Sequence, residues 1–353
     1  MWPWQSTVFD WFKIAASAFG LLAMTTTKIN AGRILMKTLD DLKRFYDTTL
    51  MPDLLALEGQ RRGIARKIMI VIIVINVALG LGSLAFVFME SNMLAVVIAV
   101  ALCLMIGGVV CKLFTRGYVT YFKSLVIERI VHFVDDSLSY EPRSCIPKST
   151  FMLSKIFTTK PNRYKGDDFV SGKVGATQIQ FSELNAEYES GSGKNRHRYT
   201  VFRGIFFIAD FNKHFNGQTI VLPDTAEKLF GRLGRKLQSL NVFRGELIRL
   251  EDPEFESHFV VYGSDQIEAR YILSTSLMAR ITDFKEKTGK KIYLSFIGSM
   301  VFAAVPYTRN LFEPRLFKTL LDFEPIRRYY EDLQLAIGIV DELNLNTRIW
   351  SKE

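Results

Sequence analysis

The residues able to do chemistry are few and poorly spaced for it. The string GSGK at 191–194 has the glycines and lysine of a phosphate cradle. A Walker loop, however, needs glycine where Tyr188 stands and Ser or Thr where Asn195 stands. The string also falls between two strand-like runs rather than between strand and helix, so we read it as a hairpin tip. His132, His197, His214 and His258 show no HExxH or other ligand spacing, and no serine sits in a GxSxG elbow. The adjacent acids Asp135–Asp136, Asp167–Asp168 and Glu251–Asp252 are of a type used in acid/base work, but neighbouring acids more often mark turns and solvated faces. Of three cysteines, Cys103 and Cys111 lie in an apolar run and Cys145 stands alone, which predicts neither disulfide nor zinc site. No catalytic, cofactor-binding or metal-binding residue is nominated, and the protein is expected not to be an enzyme.

Binding is better represented. Lys228, Arg232, Arg235 and Lys236 fall at i, i+4, i+7 and i+8, on one face of an expected helix opposite Leu229, Leu233, Leu237 and Leu240. Lys194, Arg196, His197 and Arg198 form a second basic cluster at the expected hairpin tip. Both are candidates for contact with anionic lipid headgroups or a partner protein, at about 1 kcal/mol per cation near a charged membrane. The formal charge of +9 fits that surface. Nucleic acid is not expected, because neither cluster is interleaved with aromatics in a stacking pattern.

The elements that position these residues begin with two apolar runs. Residues 68–89 carry no charge over 22 positions and residues 93–111 none over 19, with only Glu90, Ser91 and Asn92 between them. At about 1.5 Å per residue the first covers roughly 33 Å, enough for a hydrocarbon core of about 30 Å, so the pair reads as a transmembrane helical hairpin. Arg61, Arg62, Arg66 and Lys67 precede it, Lys112, Arg116 and Lys123 follow it, and the turn has no Lys or Arg. The positive-inside rule then puts both termini in the cytoplasm. A cleavable leader is not expected, for want of a basic n-region. Ala95, Ala99, Cys103, Gly107 and Cys111 make a small-residue ridge that, with Ala78 and Gly82, would allow close helix approach, within the chain or between subunits. Asn76 is the only strongly polar side chain in either span, which disfavours a pore built from this hairpin alone.

Before the hairpin, Trp2, Trp4, Phe9, Trp11 and Phe12 and the short apolar run 14–24 predict an interfacial foot. Leu35, Leu39, Leu42, Tyr46 and Leu50 then mark an amphipathic helix expected to end near Pro52. After the hairpin, residues 119–138 keep a helical pattern, a stalk descending from the membrane. Period-two patterning from Asp168 predicts a strand over 174–188 and another over 198–211, joined as a hairpin across 190–195. A short strand at 218–222, a helix over 225–240 capped by Asp224, and strands at 246–250 and 259–262 come next. Helices across 265–287 and paired strands at 291–296 and 300–305 complete an α+β pattern with a mostly antiparallel sheet and flanking helices. Residues 315–343 read as helical with a break at Pro325, and Ile326, Tyr330, Leu333, Ile337 and Val340 form a seam for oligomerisation or for packing on the same domain. The expected divisions are 1–63 (foot and amphipathic helix), 64–114 (hairpin), 115–165 (stalk), 166–310 (α+β domain) and 311–353 (C-terminal helical region).

Four strings resemble a known family: FYDTTLMPDLLALEGQR at 45–61, GDDFVSGKVGATQIQFSEL at 166–184, LEDPEFESHFVVYGSDQIEARYIL at 250–273 and LNLNTRIW at 343–350. In this order they resemble the bacterial membrane family labelled domain of unknown function 3137, over most of the chain beyond about residue 40. The resemblance implies a two-span inner-membrane anchor with a cytoplasmic domain, carries over no catalytic residues, and suggests a LemA-type helical membrane protein as partner. The expectation is a multi-pass inner-membrane structural or adaptor protein in a homo-oligomer or hetero-complex. The rival is a membrane enzyme acting on a lipid or envelope precursor.

Overall fold

The structure is a computed structural model that describes residues 37–88, 93–191, 193–224, 244–343 and 345, with backbone only at 85–88, 93, 95, 194 and 212. The expected aromatic foot, the turn between the two spans and the helix over 225–240 lie outside the described residues.

Helix α1 (Leu39–Phe45) starts at Thr38, whose hydroxyl accepts from the Asp41 amide while the Asp41 carboxylate accepts from the Thr38 amide. It does not stop at Pro52. A wide turn over Tyr46–Leu50 leads straight into α2 (Met51–Phe88), with Pro52 in its first turn. The turn closes with the Met51 amide on the Tyr46 carbonyl, five residues back. That wider spacing relaxes the i−4 geometry in which a proline ring would clash, which is why the helix survives Pro52. Helix α3 (Met93–Phe122) returns, passes through a second wide turn (Lys123–Ile127) and ends as α4 (Glu128–Val134). The extra residue in that turn lets Phe122, Lys123, Val126 and Ile127 all face inward.

Both long helices are apolar enough to cross a membrane, and only 6% of the most apolar window of each is buried. Core helices of a soluble protein would be covered; here Val74, Leu81, Leu94 and Met105 are each more than half exposed. The facing surfaces repeat near every 3.5 residues rather than every four. Gly82, Cys103 and Gly107 lie at or near the contact, while Ala78 and Ala99 are exposed. The ridge of small residues is therefore only partly the packing surface, because an undistorted period-four row drifts around the helix. Gly107 is closest, with Ile75 where a side chain would go.

Among the described residues, seven antiparallel strands form one sheet: β1 (Ser139–Glu141), β2 (Arg163–Val174), β3 (Thr177–Ser190), β4 (His197–Pro223), β5 (Glu246–Ile248), β6 (Phe259–Gly263) and β7 (Tyr293–Pro306). The central strand is β4, and its 27 residues include the stretch expected as a separate strand at 218–222. One edge of β4 pairs with β3 and then β6, the other with β7. The strands expected to pair at 291–296 and 300–305 are a single strand, because both halves find partners on β4 instead of each other. Strand β2 begins five residues before the expected period-two pattern and turns tightly at Gly175 into β3. Smaller helices fill the edges: α5 (Lys148–Leu153), α6 (Pro253–His258), α7 (Gln266–Ile272) and α8 (Thr275–Thr288).

Alternation along β4 and β7 feeds two cores. Ile205, Phe207, Val301 and Val305 face a large core that continues into the helical neck below the hairpin. Phe206, Ile208, Phe302 and Ala304 face a smaller one closed by Ile146, Phe151 and Ile156. Helix α9 is shorter than the expected 315–343: it spans Phe323–Glu342, capped by Asp322, with Pro325 in its first turn rather than at a mid-helix break. Its seam of Ile326, Tyr330, Leu333, Ile337 and Val340 is buried against its own chain, at about 1.5–3 kcal/mol for each such side chain. That seam is therefore spent internally.

Gly204 has φ +149, and a Cβ there would lie 2.1 Å from the Val305 carbonyl oxygen and 2.8 Å from the Pro306 Cα. Gly204→Ala is expected to force β4 and β7 apart and destabilise the protein by about 1–3 kcal/mol, read as a lowered midpoint in thermal unfolding of detergent-solubilised protein. Gly107→Ala meets only the movable end of Ile75 and is expected to shift that midpoint far less.

Candidate functional site

Where the stalk meets the sheet, a lysine and its acidic partners are enclosed. Lys123, in the second wide turn, is 3% exposed by side chain. Its Nζ donates to Asp167 Oδ2 at 2.7 Å and Asp168 Oδ2 at 2.8 Å, and lies 3.1 Å from Glu313 Oε1. Two adjacent strand residues ordinarily point to opposite faces. Here the β2–β3 register shifts between Asp167 and Val170, and Asp168 has φ +58, so both acids reach one ammonium. Glu183 pairs with Asp167 across β3, and its Oε2 accepts from the Leu311 amide at 2.7 Å. Tyr140 of β1 donates its hydroxyl to Asp168 Oδ1. Three strands, the stalk and the 307–322 connection thus converge on one cation.

Burial pushes the Asp168 carboxyl up to about 7 against the pull of Lys123. Burial also pushes Glu183 up to about 8, opposed by the Leu311 amide and assisted by the nearby aspartates. Burial disfavours the Lys123 charge, but the three carboxylates outweigh it and hold the ammonium above the ordinary lysine range. Burial and Asp168 hold the Tyr140 hydroxyl protonated. The cluster is thus a fixed cation beside two carboxyls, Asp168 and Glu183, whose hold on a proton is strengthened by burial. One carboxylate oxygen from each of Asp167, Asp168 and Glu183 lies within 4.8 Å of the others, a donor set of the kind that holds a divalent ion. Lys123 already supplies the positive charge there.

A second buried ion pair lies nearer the apolar runs. Glu58 accepts from Arg61 Nε at 2.8 Å and Nη2 at 2.7 Å, from Arg62 Nε at 2.9 Å, and from the Leu320 amide at 3.1 Å. Arg61 Nη1 donates to the Leu316 carbonyl. The loop before α9 is thereby clamped to α2. A separate groove of about 400 Å³ is lined by Phe157, Phe202, Tyr293, Pro306, Tyr307 and Arg203, and does not include the charge cluster.

The residues singled out from sequence fare unevenly. Lys228, Arg232, Arg235 and Lys236 lie outside the described residues, as do the side chains of Lys194 and Ala95. Arg196 and Arg198 are exposed, but both engage Glu189, which sits opposite Arg198 in the β3–β4 register, so they are not a free cationic pair. The Asp167–Asp168 pair is not the solvated turn that adjacency suggests. The usable signal was Lys123 itself, a charge on the stalk stripe that otherwise carries Phe122, Val126 and Ile130.

A buried acid whose pKa is raised in the folded state stabilises it below the unfolded pKa, and that contribution fades as pH rises through the folded value. For Glu183 and Asp168 the window runs from about 4 to about 8 for Glu183 and about 7 for Asp168. The unfolding midpoint is expected to fall as pH rises from 5 to 8.5; Glu183→Gln should flatten this fall and be the more stable form at pH 8.5. Lys123→Met strands Asp168 and should cost about 3–5 kcal/mol at pH 8, and less at pH 5.5, where Asp168 takes up a proton.

No curated protein matches the chain. The crystal structure of the mycobacterial trehalose monomycolate transport factor A is similar at 10% identity, covering 64% of this chain and 93% of that one, with a TM-score of 0.33. So slight a likeness carries no argument about function. The family match reaches from β4 to the end of α9, takes in the string at 250–273, and leaves those at 45–61 and 166–184 outside it. The model of the family described as protein of unknown function (DUF3137), the family that the four strings resemble, matches residues 200–345 of this chain.

Proposed function

We propose that this protein is an adaptor fixed in the bacterial inner membrane by its hairpin, with both termini and the α+β domain in the cytoplasm. There the domain binds a membrane partner or sister copies. The observation that carries this reading is mechanical continuity. The two apolar helices run without a break into α1 and α4, and Lys123 and Glu58 lock them to the sheet and to the loop before α9. A flexible tether would leave the domain free to tumble; this neck holds it at a set height and angle to the bilayer. A LemA-type membrane protein is the partner the family resemblance suggests.

The enzyme alternative draws support from the raised acids, since perturbed groups collect at active sites. Against it, Asp168 is wholly buried and Lys123 nearly so, and substrate would need an opening to them. A structural role accounts for both without a substrate.

Protein extracted in mild detergent should migrate on blue-native electrophoresis above its monomer mass, with a membrane protein or further copies identified by mass spectrometry in the band. A bare monomer in several detergents counts against the adaptor reading. Alkaline washing should leave the protein in vesicles, and Lys352 should react with an amine reagent only after the cytoplasmic side is opened.

A further inference from the structure

Phe317 is 63% exposed, at the tip of the connection between β7 and α9, with Arg315 and Lys318 exposed on either side. The chain turns there, the Lys318 amide bonding the Arg315 carbonyl at 3.3 Å. Three anchors give the height of this connection along the helices. Glu313 meets Lys123, twelve residues beyond the end of the second apolar run, or roughly 18 Å at about 1.5 Å per residue. Leu316 meets Arg61, seven residues before Ile68, or roughly 10 Å. Leu320 meets Glu58, ten residues before Ile68, or roughly 15 Å. The connection therefore climbs toward the apolar runs, reaches its apex at 316–318 and descends again.

Headgroups add roughly 5–7 Å on each side of the hydrocarbon core. The apex backbone stands just outside that layer, and the long side chains of Arg315 and Lys318 span the remaining gap. Arg62, Arg66, Lys67, Lys112 and Arg116 are spread along the helices between that apex and the apolar runs. We infer that the 315–318 turn is a membrane-contact foot: Phe317 enters the lipid interface while Arg315 and Lys318 bind anionic phospholipid headgroups. The foot, clamped by Arg61 and Glu58, gives the domain a second point of support beside the hairpin. The inference rests on the hairpin's spanning the bilayer.

The test uses the full chain in lipid nanodiscs, with Phe317→Trp introduced after the four native tryptophans are replaced by phenylalanine. In bilayers with about a third phosphatidylglycerol, brominated lipid should quench the introduced indole at least twofold, and the quenching should fall in pure phosphatidylcholine or with Arg315→Gln and Lys318→Gln together. Hydrogen exchange of the unmodified protein across 311–321 should slow in the anionic bilayers, a readout that does not need the tryptophan variants to fold. Absence of both effects overturns the inference. Quenching indifferent to lipid charge and to the two cations overturns the headgroup assignment. Release by alkaline washing would instead remove the membrane-spanning reading itself.

Discussion

The arrangement depends on one ammonium group held out of water. Lys123 sits where the second long apolar helix passes into the helical neck, and the carboxylates that make its burial tolerable come from β2 and from the connection before α9. An unpaired charge at that depth would cost about 3–5 kcal/mol, a large part of a fold's margin of about 5–15 kcal/mol. Stalk and sheet are therefore obliged to meet at this point and in this orientation. The wide turn that brings Lys123 inward, the register shift that turns Asp167 and Asp168 to one side, and the left-handed backbone at Asp168 all serve that meeting.

The second clamp acts in the same way closer to the apolar runs. Glu58 collects two arginines and one backbone amide, and Arg61 passes a further hydrogen bond to Leu316. Beside and beyond the clamps, the neck is filled by aromatic packing: Phe122 against Tyr329 next to Lys123 and, farther from the apolar runs, Phe45 on Phe133, with ring centroids 4.4 Å apart. Apolar contacts supply the bulk of the cohesion but permit sliding; the ion pairs fix register, since only one placement satisfies every donor.

Much of this was legible along the chain. Unbroken apolar runs identified the two spans, because a bilayer demands length and freedom from charge, and both are written locally. Alternation marked β3, the first half of β4, β5 and β6. The errors came where local pattern and distant partner disagree. Gly298 looked like the turn of a two-stranded hairpin, yet β7 crosses it without reversing because β4 offers hydrogen bonds on both sides of it. Pro52 looked like a stop, and the wide turn before it removed the clash that makes proline one.

The sequence by itself determined that this is a two-helix apolar hairpin joined to an α+β domain, since periodicity and span length are properties of neighbouring residues. Only the tertiary structure decided which charges matter. Asp167, Asp168, Glu183 and Lys123 are spread over sixty residues, and nothing local distinguishes them from solvated side chains. Their burial, altered protonation and shared cation arise from the register between strands and the docking of the stalk, which sum contacts across the whole fold. The same holds for the exposed Phe317, whose level along the helices is set by Arg61 and Glu58, more than 250 residues away in the chain.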